Sequence, residues 1–382
     1  MQISKLSPFQ KCCQAIDAVS WWWRRELPKE LFDIFASHPF DSDHCFLCGV
    51  CLDDTNRTAE HVFPKWLQDA FNIKDLTVRL LNGTYIQYRN LTIPCCKTCN
   101  GTHLSQLEAL VRSVILDDSK SLSEISDQDL NAWVSKIYLG IHWKELELKF
   151  DRQTADSEKI LQKNDMESFR TAHFFMQSCR KEMTFYGTED RFPNTLMRIE
   201  CKVPNAVEDQ FDYLDSFIAH TVALRMGNKG VVALFDGGLH DLNFPNFAKT
   251  QFDERPLHPD QYREVFASLT YKSSLSLRVP YYGIIQDKEI DKYFVARLAF
   301  DDHNKGARCV IVGSEDGDLT SMYPVLPPSA LDGPDYSEWS QEEFAHFISM
   351  YTGAPFEHLF VPPNLVRTSL RDDNGNFRDI PL

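Results

Sequence analysis

Six of the eleven cysteines of this chain lie between positions 45 and 99, and this clustering constrains the fold more than any other feature. Cys45 and Cys48 form one Cys-x-x-Cys pair, which Gly49 follows, and Cys96 and Cys99 form another. Two residues between thiolates let the backbone turn back so that both sulfurs reach one ion, and the glycine relaxes that turn. The two pairs therefore predict a closed, structural Zn²⁺ site with four thiolate ligands.

Two neighbouring cysteines leave alternatives for this ligand set. Cys48-Gly-Val-Cys51 is also a Cys-x-x-Cys pair, and Cys95 adjoins Cys96. We favour the first pair because its glycine follows the second ligand, and we favour Cys96 because it has the required spacing to Cys99. Five cysteines outside the cluster are expected to be buried or incidental thiols rather than ligands: Cys12, Cys13, Cys179, Cys201 and Cys309.

Length and composition are those of a folded chain with room for more than one domain. The 382 residues are 43% hydrophobic and 25% charged, which allows a large core. No stretch approaches the roughly 20 apolar residues that span a bilayer, and residues 1–7 lack the apolar core of a signal peptide. These features predict a cytoplasmic protein without a membrane partner, in which a disulfide framework is not expected.

The net charge of −15 is unlike that of a typical nucleic-acid-binding protein. Residues 1–115 nevertheless contain twelve Lys or Arg and twelve Asp or Glu, so the whole acidic excess lies in residues 116–382. A neutral module with local basic patches can bind nucleic acid while an acidic body repels nonspecific nucleic acid. The alternative is that the acidic residues only confer solubility.

Sequence patterns predict an α+β protein in three parts. Residues 1–40 look helical, residues 41–118 form the cysteine-bracketed module, and residues 119–382 form a larger α+β body of unknown fold. This body carries no catalytic signature, and recognition, sensing and oligomerisation are its candidate roles. Within the module we expect strands at 58–63 and 84–93, a short helix at 64–71 and a helix from 97 onward. Beyond it, the main predicted helices are 127–146, 157–181 and 259–275.

A carboxylate-histidine pair lies between the two halves of the cysteine cluster. Glu60 and His61 are adjacent on a predicted strand, where neighbouring side chains diverge, so one can bind a metal while the other faces a substrate. Asn100 directly follows Cys99, and its amide oxygen is a suitable hard ligand for a Mg²⁺-like ion.

The combined pattern resembles the HNH endonucleases, which are ββα-metal nucleases with a zinc-bracketed core. The matching residues run from Cys45 to about Glu108, under a fifth of the chain, and include Pro64 after the Glu-His pair and Asn90-Leu91 before the second cysteine pair. The resemblance implies a treble-clef-like ββα module that hydrolyses phosphodiester bonds in DNA with a catalytic Mg²⁺ or Mn²⁺ ion.

The resemblance also implies roles for individual residues. His61 would be the general base that deprotonates the attacking water, and Glu60 and Asn100 would hold the catalytic ion. Asn90, or alternatively Asn82, would brace the histidine. His103, about one helical turn after Asn100, would be a third ligand or a phosphate contact.

Two departures from the common family pattern bear on the ligand set. Glu60 stands where the family usually has Asp, so its carboxylate lies one methylene further from the backbone. The spacing from Asn90 to the second cysteine pair is one residue longer than the common form.

The chemistry of phosphodiester cleavage agrees with these assignments. A histidine with a near-neutral pKa can activate water, and one divalent ion can relieve charge on the phosphate and the leaving oxygen. Two alternatives remain: a zinc-stabilised nucleic-acid-binding or interaction module without catalysis, and a nuclease of the same chemistry that acts on RNA. Four basic side chains near the motif are candidate phosphate contacts or solvated surface charges: Lys65, Arg79, Arg89 and Lys97.

Overall fold

The computed structural model divides the chain into two compact units. The first combines residues 1–113, 125–193 and 280–333, and the second combines residues 114–124, 194–279 and 334–382. The structure describes residues 31–32, 40–186, 194–235, 255–275, 281–287, 292–301, 306–309, 322–324, 340–355, 360–361, 365–366 and 378–382. Most of the predicted helical segment 1–40 lies outside these residues, and the predicted module boundaries at 41 and 118 stay a prediction.

Mixed helix and strand content confirms the predicted α+β class. The described helices are α1 (Lys65–Ala70), α2 (Ser105–Ile115), α3 (Asp127–Glu147), α4 (Arg170–Met176), α5 (Pro259–Leu275) and α6 (Gln341–Thr352). The first nine described strands are β1 (Arg57–His61), β2 (Thr77–Arg79), β3 (Tyr85–Gln87), β4 (Thr92–Cys96), β5 (Met183–Tyr186), β6 (Thr195–Glu200), β7 (Phe211–Ser216), β8 (Thr221–Met226) and β9 (Lys229–Leu234). The others are β10 (Tyr281–Asp287), β11 (Lys292–Asp301), β12 (Gly306–Cys309), β13 (Met322–Pro324), β14 (Phe360–Val361) and β15 (Leu365–Val366). None of the described helices combines the length and apolar character that crossing a bilayer requires.

The antiparallel pair of β1 and β4 carries the motif residues of the first unit. Arg57 lies opposite Cys96 and Glu60 lies opposite Ile93, so the register connects the second cysteine pair to the Glu-His strand. Phe46 in the first cysteine turn donates its amide hydrogen to Pro94 of β4, at 3.0 Å. Both cysteine pairs are thereby attached to the same two strands.

The second strand of this pair is not where the sequence pattern predicted it. The predicted strand 84–93 is divided into β3, a 3₁₀ turn (Tyr88–Asn90) and the beginning of β4. β3 pairs with β2 in a separate hairpin, which turns at Gly83 with a φ of 78°. The prediction was wrong because the turn residues 88–91 interrupt an alternating pattern that looks continuous in the sequence.

A helical segment follows the second cysteine pair, as predicted. Its first part, Cys99–Leu104, has π-helical geometry and continues directly into α2. The wider turn keeps Cys99 beside Cys96 while Asn100 faces β1. π-Helical turns are rare and occur often at functional sites.

Helix α3 is buried on nearly all sides and forms the centre of the first unit. Ser126 caps its start by accepting a hydrogen bond from the amide of Asp129, at 3.0 Å. A Cβ atom added at Gly140 would lie 2.9 Å from Cγ2 of Val62, so this glycine allows α3 to pack closely on the residue after β1. The predicted helix 127–146 is confirmed, whereas the predicted helix 157–181 is a 3₁₀ segment (Lys163–Phe169) followed by the short α4.

The second unit contains a four-stranded antiparallel sheet in the order β6-β9-β8-β7. Helix α5 packs on this sheet, and the hydroxyl of Tyr262 donates to the carbonyl of Val231 at 2.8 Å. Arg225 is fully buried and its Nε lies 2.5 Å from Oδ2 of Asp212. The predicted helix 259–275 is confirmed with its predicted bounds.

Candidate metal centre

Four cysteine sulfurs converge in the first unit, and they are the four that the sequence predicted. The Sγ atoms of Cys45, Cys48, Cys96 and Cys99 all lie within 4.8 Å of one another. The distance from Cys48 Sγ to Cys96 Sγ is 3.8 Å. In a tetrahedral site with Zn–S bonds of about 2.3 Å, neighbouring sulfurs lie about 3.8 Å apart. The cluster therefore fits a structural zinc ion.

Hydrogen bonds and backbone angles within the two cysteine turns hold the sulfurs of this cluster close together. The amide of Gly49 donates to the carbonyl of Cys45 at 2.8 Å, and Gly49 has a φ of 70°, which favours glycine. In the second turn, the amide of Cys99 donates to Sγ of Cys96 at 3.4 Å. Such a hydrogen bond stabilises the negative charge that a thiolate ligand carries.

The alternative ligands lie outside the group of four. Cys51 is exposed, whereas Cys45, Cys96 and Cys99 are buried and Cys48 is partly buried. Cys95 is buried and its Sγ lies 3.9 Å from that of Cys45, yet it is not within 4.8 Å of all the other sulfurs. Cys95 therefore packs behind the cluster instead of completing it.

The close approach of the sulfurs affects their ionisation. Contact with the Cys45 sulfur raises the pKa of Cys48 to about 12. Contacts with Cys45 and Cys48, together with burial, also raise the pKa of Cys99 above its usual range. The same contacts lower the pKa of Cys45, so the sulfurs share their protons unequally. Four thiolates this close repel one another, and a bound cation would offset that charge.

The carboxylate of Glu60 is buried and paired with a lysine. Only 6% of Glu60 is exposed, and its Oε1 lies 2.5 Å from Nζ of Lys136 in α3. Burial raises the pKa of Glu60, an effect that Lys136 opposes and that the nearby Glu108 reinforces. One oxygen of Glu60 is therefore engaged by a protein cation.

His61 ends β1 and is half-buried. Its carbonyl oxygen accepts a hydrogen bond from Nζ of Lys136 at 2.5 Å. Burial lowers the pKa of the imidazole, and the positive charges of Lys65 and Lys136 lower it further, while Glu108 acts in the opposite direction. The lowered pKa favours the neutral ring, which is the form that a general base requires.

Asn100 lies against β1 on the same side as Thr58. Its Nδ2 donates to Oγ1 of Thr58 at 3.1 Å and contacts the carbonyl of Ala59 at 3.4 Å. These contacts orient the amide so that its Oδ1 accepts no hydrogen bond from any residue that the structure describes. This oxygen is therefore available as a hard donor, and the predicted role of Asn100 as a metal ligand stays a prediction.

The two asparagines predicted to brace His61 have hydrogen-bond partners elsewhere. Nδ2 of Asn90 points to Oε1 of Gln87 at 3.4 Å, and Nδ2 of Asn82 donates to the carbonyl of Phe150 at 2.8 Å. Neither asparagine bonds to the ring of His61, so these contacts give no support to the brace that the family resemblance implies.

His103 lies on the π-helical turn and is half-buried. Burial lowers the pKa of its imidazole, and the positive charges of Arg180 and Lys181 lower it further. Its surroundings are therefore basic. A phosphate contact suits such surroundings better than a metal ligand does.

Lys136 and Glu108 are the site residues that sequence reasoning missed. Nζ of Lys136 lies 2.7 Å from Oε1 of Glu108 in α2, in addition to its contacts with Glu60 and His61. One sequence signal was present: Lys136 lies in the middle of a largely apolar helical segment, where lysine is rarely found unpaired.

Comparisons of the chain with protein-family models, with curated proteins and with solved structures found no match in any of the three.

Proposed function

We propose that this chain is a metal-dependent endonuclease of the HNH type that hydrolyses phosphodiester bonds in DNA. The observation that carries the proposal is the position of Asn100 beside the Glu60-His61 strand. An antiparallel strand pair and a helix, connected through the four-sulfur cluster, bring these motif residues onto neighbouring elements. A neutral imidazole and an unengaged amide oxygen are the groups that water activation and ion binding require.

The donor set also fits a divalent ion. Glu60 and Glu108 carry two negative charges and Lys136 carries one positive charge, which leaves one net negative charge beside the oxygen of Asn100. Since Lys136 engages Oε1 of Glu60, the second oxygen of that carboxylate would be the ligand. A bound Mg²⁺ or Mn²⁺ ion supplies charge neutralisation at the phosphate and at the leaving oxygen.

The other steps belong to residues of the chain. His61 takes the proton from the attacking water, and Asn100 and Glu60 orient the site around the phosphate. The zinc cluster fixes the geometry of the strands and the helix, because a structural zinc site contributes folding energy directly.

A plasmid-nicking assay with Mg²⁺ or Mn²⁺ tests the proposal. The wild-type protein should cleave DNA, and His61→Ala should abolish cleavage while zinc content and far-UV circular dichroism stay unchanged. His44→Ala is the matched control, because it removes a partly exposed histidine that bonds to Asp41 near the first cysteine turn, outside the proposed site. Cleavage that persists in His61→Ala, or wild-type protein inactive with every divalent ion, overturns the assignment.

A zinc-stabilised nucleic-acid-binding module without catalysis is the second candidate. The ion pair between Glu60 and Lys136 favours it, because a carboxylate neutralised by lysine needs no metal. This candidate predicts DNA binding by wild-type protein without cleavage under any divalent ion. Parallel assays with single-stranded DNA and RNA separate a DNA nuclease from an RNA nuclease of the same chemistry.

A further inference from the structure

We propose that Lys136 is a positioning residue of the nuclease site, which holds Glu60, Glu108 and the backbone of His61 in their working arrangement. This inference rests on the proposed function and extends the site beyond the cysteine-bracketed module to helix α3. Nothing in the sequence motif assigns a role to Lys136 or to α3.

The contacts of Lys136 connect three elements. Its Nζ lies 2.5 Å from Oε1 of Glu60 and 2.5 Å from the carbonyl oxygen of His61, both in β1. It lies 2.7 Å from Oε1 of Glu108 in α2. A lysine ammonium has three hydrogens, and here each has an acceptor. The geometry of the ammonium therefore fixes the relative positions of β1, α2 and α3.

The burial of this lysine makes the arrangement rigid. Its side chain is 1% exposed, and that of Glu60 is 8% exposed. A buried charge is tolerated only when partners replace the lost hydration, and removing one partner leaves an uncompensated charge. Lys136 cannot exchange these acceptors for water, so Glu60 is held in one orientation.

The helix face that carries Lys136 packs against α1 and against the residue that follows β1. Trp133, Lys136 and Gly140 follow the i, i+3, i+7 spacing of one helical face. Trp133 stacks on Trp66 of α1 with ring centroids 6.3 Å apart, and Gly140 allows the close approach of Val62. The tight packing of α3 on both sides of Lys136 thus places the ammonium beside the Glu-His strand.

This position excludes direct contact with DNA. A side chain that is 1% exposed does not reach a phosphate, so Lys136 acts through its neighbours. It holds the carboxylate that would bind the ion and the backbone segment that carries the base. Because a displacement of about 1 Å at a catalytic group costs about 100-fold in rate, loss of this contact should lower kcat. Affinity for DNA should change little.

Steady-state cleavage by Lys136→Met, Lys136→Arg and Glu108→Gln tests the inference. Methionine keeps the length and apolar stem of lysine but removes its charge and donors, and we expect about a 100-fold loss of kcat at saturating Mn²⁺ with KM for DNA within about threefold. Arginine keeps the charge and should restore part of kcat. Glu108→Gln removes one negative charge, so it should raise the Mn²⁺ concentration needed for half-maximal activity about tenfold or more.

Activities are normalised to the folded fraction, measured as bound zinc per chain. A purely structural role would lower zinc content and melting temperature but leave kcat, KM and the Mn²⁺ requirement of the folded molecules unchanged, and that result overturns the inference. If Lys136→Met does not fold, Lys136→Arg and Glu108→Gln test the inference instead. A wild-type kcat in Lys136→Arg together with a wild-type Mn²⁺ requirement in Glu108→Gln overturns it.

A measurement without activity separates this inference from the proposed function. A double-mutant cycle in urea between Lys136→Met and Glu60→Gln should show coupling of at least about tenfold in the folding equilibrium constant, or about 1.4 kcal/mol. Coupling in a protein that never cleaves nucleic acid refutes the proposed function and with it the role of Lys136 in positioning a nuclease site, although the contact between Lys136 and Glu60 is then still supported. Active wild-type protein without coupling refutes the positioning role alone.

Discussion

The Nε2 atom of His173 lies 2.8 Å from the carbonyl oxygen of Phe46, inside the first cysteine turn. His173 belongs to α4 and is 3% exposed, so this histidine supports the first cysteine turn from a distant part of the sequence. Burial lowers its pKa to about 4, from an ordinary value of 6.5. The neutral imidazole therefore donates from Nε2 to this carbonyl.

The free energy of unfolding should fall as the pH falls below about 6.5, because His173 then binds a proton in the unfolded chain but not in the folded protein. The contribution of neutral His173 to the free energy of unfolding is present above pH 6.5 and is lost progressively toward pH 4. Roughly 1 kcal/mol is lost between about pH 7 and about pH 5.5. His173→Gln keeps an Nε2 donor without titrating. In urea unfolding, its free energy of unfolding should depend less on pH than that of the wild type, and equal pH dependence would contradict this account.

Removal of zinc should unfold the region around β1, β4 and the two cysteine turns. Structural zinc contributes roughly 10 kcal/mol or more of apparent binding free energy, which this region cannot replace with its core. Cys99→Ser should bind no zinc and should lose near-UV circular dichroism, as should wild-type protein treated with a chelator.

Cys51→Ser and Cys95→Ala are matched controls for the metal centre. Both should retain one zinc per chain by atomic absorption, since their sulfurs lie outside the group of four. Cys95→Ala should cost about 1 kcal/mol because it leaves a small cavity. Loss of zinc in either variant would show that the ligand set is wrong.

Gly140→Ala should destabilise the first unit by about 1–3 kcal/mol, although alanine favours helices. The new Cβ would lie 2.9 Å and 3.0 Å from the two methyl groups of Val62, a stiff and fully buried side chain. Gly101→Ala is the control, since its Cβ would meet nothing within 4 Å. Urea unfolding should show Gly101→Ala as stable as the wild type or more so, and Val62→Ala should relieve part of the loss in Gly140→Ala.

Under the proposed function, the rate of DNA cleavage should stay high into mildly acidic conditions. Because the pKa of His61 is lowered from its ordinary value of 6.5, its imidazole stays neutral at mildly acidic pH. The decline of kcat on the acidic side should therefore have its midpoint below pH 6.5. Lys65→Gln removes a positive charge that lowers this pKa, so the midpoint should move to higher pH. Lys97→Gln removes another exposed lysine and should leave the midpoint in place; equal shifts in both variants would contradict a local effect of Lys65.

Elements with strong local signals could be predicted from the sequence. Helix α5 was predicted with its observed bounds because Pro259 begins it and a continuous helical pattern follows. The four sulfurs were predicted because each Cys-x-x-Cys turn is a local structure. The division of residues 84–93 between β3 and β4 was missed, because strand pairing depends on residues outside the segment.

By itself, the sequence indicated the four-cysteine cluster, the α+β class and the strand that carries Glu60 and His61, whereas the tertiary structure was needed to place Cys51 and Cys95 outside the group of four sulfurs. Only the tertiary structure decided that Lys136 neutralises Glu60, that Glu108 joins this ion pair and that the asparagines proposed as braces bond elsewhere. The physical reason is the sequence distance over which each effect acts. Turn and helix signals depend on a few neighbouring residues, whereas the partner of a buried charge depends on packing between segments far apart in the chain.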